Sequence, residues 1–119
     1  MNKRETGSIY EDKAVGILRS DGYEILERNY GDGYGEIDII CSRSGEVVFV
    51  EVKYRKTDAY GEGYEAVDKR KMRHIYNTAL KYIGNPEIKD NTYRFDCISF
   101  LDKEVKWMKN VMWGDEFGF

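Results

Sequence analysis

The sequence predicts a mixed α/β fold, a central sheet flanked by helices. Three observations predict it. Two runs rich in β-branched residues, 36–42 and 47–55, flank the short polar turn 43–46, so they read as a hairpin. Segments with apolar residues at helical spacing precede and follow that hairpin. Two more β-type runs, 92–100 and 104–111, come after the second helix. The order is helix, three strands, helix, two strands, and the connection through the second helix is long enough for a parallel, right-handed return to the sheet.

Residues 1–7 are polar. Ser8 is placed as an N-cap with Glu11 three residues on, as a capping box requires, and the helix runs from there to Ser20 with Tyr10, Ala14, Ile17 and Leu18 on one stripe. Asp21-Gly22 is a C-terminal stop. The first strand spans 23–30, and Gly31, Gly33 and Gly35 then punctuate a loop. This loop is not a nucleotide-binding fingerprint, because a strand follows it where a helix is required. After the hairpin a glycine-containing loop leads to the second helix, 64–83, with Val67, Ile75, Ala79 and Tyr82 as its core stripe and Gly84-Asn85-Pro86 as its end.

A chain of 119 residues fits one domain, spanning 1–119, with a real core. No apolar run approaches the length of a membrane span, and the charged N-terminus lacks the apolar stretch of a secretory signal. Cys41 and Cys97 both fall inside strands, which reads as two buried free thiols in a reducing cytoplasm. One histidine and two cysteines cannot build a four-ligand Cys/His zinc site. The net charge of −3 gives no general attraction to nucleic acid, so any phosphate contact must come from a local basic stripe.

The candidate site lies in the hairpin. Glu51 and Lys53 share one face of their strand by alternation. With Ser42 opposite Val47, position i faces position 89 − i, which sets Asp38 opposite Glu51. Two carboxylates and an ammonium then meet at one spot on a sheet whose other residues are strongly apolar. Such a cluster suits Mg²⁺ or Mn²⁺ held by Asp38 and Glu51, with Lys53 orienting water or offsetting charge on a phosphate. Glu36 shares the face of Asp38 and is either an outer carboxylate or a support for the glycine loop. Glu11 either closes the capping box or completes the metal site. Arg55 and Lys56 continue the strand and can meet a scissile or neighbouring phosphate; Lys69, Arg70, Lys71 and Arg73 can track a nucleic-acid backbone or form a solvated helix face.

These residues resemble a known family. Asp38 followed by Glu51-Val52-Lys53 is similar to the D…ExK core of the PD-(D/E)xK nuclease superfamily, whose restriction-endonuclease-like fold has an αβββαβ core. The likeness is closest to the bacterial YraN-like family. Its pattern is carried by Glu11-Asp12-Lys13-Ala14, Arg28-Asn29-Tyr30, Gly35-Glu36-Ile37-Asp38-Ile39-Ile40, Val48-Phe49-Val50-Glu51-Val52-Lys53-Tyr54-Arg55, Ala66-Val67-Asp68-Lys69-Arg70-Lys71 and Arg94-Phe95-Asp96. Position 31 is Gly where the family usually has a basic residue. The resemblance implies metal-dependent cleavage of DNA, with branched DNA as the substrate of the similar archaeal Holliday junction resolvases. It further implies Glu11 as a helix carboxylate of the site and pairing of two copies. Two other readings remain: a nucleic-acid-binding module of the same fold without catalysis, and a protein-interaction subunit without a DNA role.

Overall fold

A computed structural model describes residues 3–31, 35–55, 69–86 and 91–111. The elements are α1 (Lys3–Ser20), β1 (Glu24–Tyr30), β2 (Ile37–Arg43), β3 (Glu46–Arg55), α2 (Lys69–Ile83), β4 (Thr92–Leu101) and β5 (Glu104–Met108). The five strands form one sheet in the order β1-β2-β3-β4-β5. Its pairs are antiparallel except β3–β4, which is parallel through ten residues from Glu46↔Thr92 to Arg55↔Leu101. The mixed sheet and the parallel return through α2 are those the element order predicted.

The two helices cover opposite faces. Ala14, Val15 and Leu18 of α1 pack with Tyr23, Ile39, Cys41, Val48, Val50, Ile98 and Phe100. Ile75, Ala79 and Tyr82 of α2 pack with Ile37, Ile40, Val47 and Phe49. Period-two alternation along β3 explains the division: even positions face α1 and odd positions face α2.

Local sequence sets the joints. Gly22 (φ 88°) ends α1, with Tyr23 N–H donating to Leu18 O at 3.0 Å and Gly22 N–H to Arg19 O at 3.0 Å, the bond pair of a Schellman cap. The β2–β3 turn places Ser44 and Gly45 at φ 51° and 80°, the left-handed pair whose twist matches a two-residue hairpin. Ser42 faces Val47 and Arg43 faces Glu46, the register the sequence implied.

Two expectations fail. Ser8 lies inside α1, not at its start, because Lys3, Arg4 and Glu5 are good helix formers and carry the helix past it. Its capping box with Glu11 therefore does not form. β5 stops at Met108, not Val111: Asn110 turns to φ 55° and donates its N–H to Asp96 Oδ1 at 2.9 Å, while Val111 N–H returns to Phe95 O at 2.8 Å.

Candidate active site

β3 changes character along one face. Val47 and Phe49 are buried under α2; Glu51, Lys53 and Arg55 follow on the same face. Glu51 is 3% exposed, in a strand paired on both sides up to that point.

The hairpin opens beside it. The β2–β3 ladder runs from Arg43↔Glu46 to Ile39↔Val50, and Asp38 is the next residue of β2. Ile37 and Ile40 both join the α2-side core while Ile39 joins the α1 side, so regular alternation breaks at Asp38. There the Asp38 carboxylate does what a main-chain carbonyl would do further along the ladder: its Oδ2 accepts the Val52 N–H at 2.8 Å. Asp38 is thereby fastened to the residue between Glu51 and Lys53. On the other side of β3, Glu51 pairs with Cys97 of β4. Burial pushes the Cys97 thiol up to about 12; the Lys53 charge opposes this, and the Glu51 and Asp38 charges add to it. The charges of Lys53, Glu51, Asp38 and, from the other face, Asp96 are all felt at Cys97.

Glu11 approaches Asp38 from α1. Partial burial, and then the Asp38 charge, raise its carboxyl above the ordinary value, against a hydrogen bond from Asn29 and the charge of Arg28. The Arg28 guanidinium lies 3.8 Å from Glu11 and 2.7 Å from Asp12. Asn29 has φ 52°, a left-handed conformation that asparagine tolerates better than most residues. Its neighbours in β1 pair as Arg28↔Ile39 and Tyr30↔Ile37, which sets Asn29 level with Asp38. The Arg28-Asn29 pair thus holds Glu11 toward the first carboxylate of the site. Periodicity gives no sign of this role, because Asn29 acts through a local backbone kink.

The other sequence candidates divide. Glu36 is exposed and precedes β2. Arg55 ends β3 on the site face and is half-buried. Arg73 is exposed on α2; Lys69, Arg70 and Lys71 lie on the first turn of that helix, with side chains outside the described residues, as is Lys56 altogether. Tyr54 stacks on Tyr10 at 4.0 Å between ring centroids, joining β3 to α1. Gly35 is needed for close approach: a Cβ there would lie 2.5 Å from the His74 carbonyl carbon, so this glycine lets the segment before β2 rest on α2.

A second polar cluster, on the α1 face, involves Arg94 and Asp96, which entered the sequence reading only as part of the family pattern. Asp96 is fully buried and takes Arg94 Nε at 2.8 Å, a terminal Arg94 nitrogen at 2.8 Å, Trp107 Nε1 at 2.8 Å and the Asn110 N–H. Arg94 also donates to Glu46 at 2.7 Å and to the Tyr23 hydroxyl at 3.0 Å. This network ties β3, β4, β5 and the chain before β1 together. Its sign in the sequence is an Arg and an Asp at i and i+2 in a strand that carries no other charged residue.

The donor set decides which ions suit the site. Among the described residues, no three His, Cys, Asp or Glu side chains converge closely enough to cage an ion. Two carboxylates remain, Asp38 and Glu51. That set suits a hard divalent cation that keeps several waters and takes further oxygens from a substrate phosphate. It does not suit a structural zinc, which wants four protein ligands.

Fold and site define a small mixed α/β protein with an acidic, lysine-bearing site where its central hairpin opens. The chain belongs to the Uncharacterised protein family UPF0102, whose model matches residues 10–100, in keeping with the YraN-like pattern. It is 54% identical to a UPF0102 protein of Fusobacterium nucleatum over 119 residues, all of both chains. It is 40% identical to one of Sulfurihydrogenibium over 111 residues, 93% of this chain and 96% of the relative. A Vibrio parahaemolyticus relative is 37% identical over 114 residues, 93% and 94% of the two chains. No helix among the described residues is long and apolar enough to cross a membrane.

Proposed function

We propose that the chain is one PD-(D/E)xK nuclease domain, a metal-dependent endonuclease that hydrolyses DNA phosphodiesters in the cytoplasm. The observation that carries this reading is the Asp38 carboxylate fastened to the Val52 N–H, between Glu51 and Lys53 in the chain, where the β2–β3 hairpin opens. Asp38 and Glu51 would hold Mg²⁺ or Mn²⁺. When bound, such an ion supplies Lewis acidity at the phosphate and lowers the pKa of water.

The chain's own residues do the rest. The Val52 N–H fixes the Asp38 carboxylate against β3, so that oxygen position does not depend on a mobile side chain. Lys53, next on the face after Glu51, offers a positive charge to the pentacovalent phosphate and can orient the attacking water. Glu11, its carboxyl pKa raised first by burial and then by the Asp38 charge, is the outer carboxylate. Arg55, Lys56 and the basic residues Lys69, Arg70, Lys71 and Arg73 would meet the nucleic-acid backbone. Branched DNA is the favoured substrate, and symmetric cuts across a junction would need two sites, hence a homodimer.

The test is cleavage of a panel of four-way, flapped and linear DNAs with Mg²⁺ or Mn²⁺. The expected result is metal-dependent cutting by the wild-type protein, lost in Asp38→Ala and Glu51→Ala. Full activity in both variants would refute the site. Binding without cutting in either metal would establish a non-catalytic module, and no binding at low ionic strength would favour a protein-interaction subunit.

A further inference from the structure

Resting on the nuclease reading, we propose that Arg55 forms a separate phosphate subsite, which takes the phosphate next to the one being cut on the same strand. The site therefore requires a polynucleotide and discriminates against an isolated phosphodiester. Three observations lead there. Glu51, Lys53 and Arg55 alternate along one face of β3, and β3 pairs in parallel with β4 as far as Arg55↔Leu101. The Asp102 N–H donates to Arg55 O at 3.0 Å and so anchors the backbone of that last residue. Arg55 Nε is shut off from solvent and donates to no hydrogen bond among the described residues.

A buried guanidinium N–H without an acceptor is costly to keep in a folded protein. Arg55 is only half-buried overall, so a shift of its side chain toward an anion supplied by a ligand removes that cost, and guanidinium matches phosphate oxygens in a two-pronged geometry. Spacing identifies which phosphate it is. Two residues along a strand advance roughly 6.8 Å, close to the separation of successive phosphorus atoms along one nucleic-acid strand. With the scissile phosphate at Glu51 and Lys53, the next one along the strand falls at Arg55. Lys53 serves the reacting group; Arg55 serves its neighbour and sets the polarity with which the cut strand lies along β3.

The experiment uses the full chain and a DNA with a mapped cut. Each phosphate flanking the cut is replaced in turn by a neutral methylphosphonate, and binding is followed by fluorescence anisotropy in Ca²⁺. For the wild type, neutralising one adjacent phosphate, on one side only, weakens binding by about 10- to 100-fold. Arg55→Gln loses a similar factor on unmodified DNA and nothing more on that modified DNA, while Arg55→Lys recovers part of the loss. Circular dichroism checks that both variants are folded. Equal wild-type tolerance of neutralisation at both neighbours overturns the proposal, as does an additive loss in Arg55→Gln; in either case DNA cutting by the wild type stands. A wild type that neither binds nor cuts DNA overturns the nuclease reading and this subsite with it.

Discussion

Asp38 carries two loads that substitution can separate. Its Oδ2 accepts the Val52 N–H at 2.8 Å, one residue from Glu51 in the chain, and its charge bears on Glu11. Asp38→Asn keeps an oxygen for Val52 and removes the charge; Asp38→Ala removes both. The alanine variant leaves a partly buried main-chain donor without its acceptor, a loss of about 1–3 kcal/mol. The asparagine variant is expected within about 1 kcal/mol of wild type, because the weaker neutral hydrogen bond is offset by relief of carboxylate repulsion. Cation binding distinguishes the two loads. At a divalent-ion concentration of 100 times Kd the wild type gains about 2.7 kcal/mol. With a urea slope near 1.5 kcal/mol per M, that gain moves the midpoint by roughly 1.8 M. Urea unfolding with and without Mg²⁺ or Mn²⁺ reads both quantities. Asp38→Asn should keep its metal-free midpoint and lose most of the ion-dependent shift. A metal-free loss above about 2 kcal/mol in Asp38→Asn, or a full ion-dependent shift in Asp38→Ala, would refute the division of roles.

Other outcomes follow from the same geometry. The Glu11 carboxyl is raised above its ordinary value of 4.5, so the folded state binds that proton more tightly than the unfolded state; stability falls as pH rises through the window from 4.5 up to the raised value. Glu11→Gln should therefore be more stable than wild type at pH 7, with the gain vanishing below pH 4.5, as thermal melts across pH would show. Burial pushes both Cys41 and Cys97 up to about 12, so neither thiol should react with a disulfide reagent at pH 8 until urea unfolds the chain. Gly35→Ala drives a Cβ against the His74 backbone and should cost about 1–3 kcal/mol in urea unfolding. Asp96→Ala strands the Trp107 and Asn110 donors and loosens Arg94, for a loss of about 3–5 kcal/mol by the same measurement.

Legibility in the sequence followed the range of the forces involved. The β2–β3 register could be read because alternation and a two-residue turn act within a few positions, and Ser42↔Val47 followed from them. The same rule set Asp38 opposite Glu51, but not the opening of the ladder at that point. Whether a carboxylate replaces a carbonyl depends on strand separation, which the pattern of apolar residues does not encode. Ser8 and Glu11 matched a capping box, yet favourable residues upstream extended the helix, so a local motif lost to a longer stretch of propensity. Asn29 gave no periodic signal, since its role comes from a left-handed backbone angle and from its level beside Asp38. The Arg94–Asp96 network joins residues as far apart as Tyr23 and Asn110, a closure that only the folded sheet brings about.

The two faces of the sheet explain how an acidic cluster is tolerated at all. Setting the Asp38 and Glu11 charges against each other costs electrostatic energy, and a pliable framework would relieve it by moving apart. Here β3 is locked to β4 through ten parallel pairs, and the Arg94–Asp96 network clamps the β4–β5 end of the sheet on the opposite face. Arg94 is held well above its usual pKa range, first by its hydrogen bond to Asp96, so its guanidinium stays charged. The side that opens is β2, at Asp38, where main-chain pairing gives way to one side-chain hydrogen bond. Relief by splaying further would break that bond and orphan the Val52 N–H. On the nuclease reading, capture of a cation would relieve the same repulsion with no bond broken.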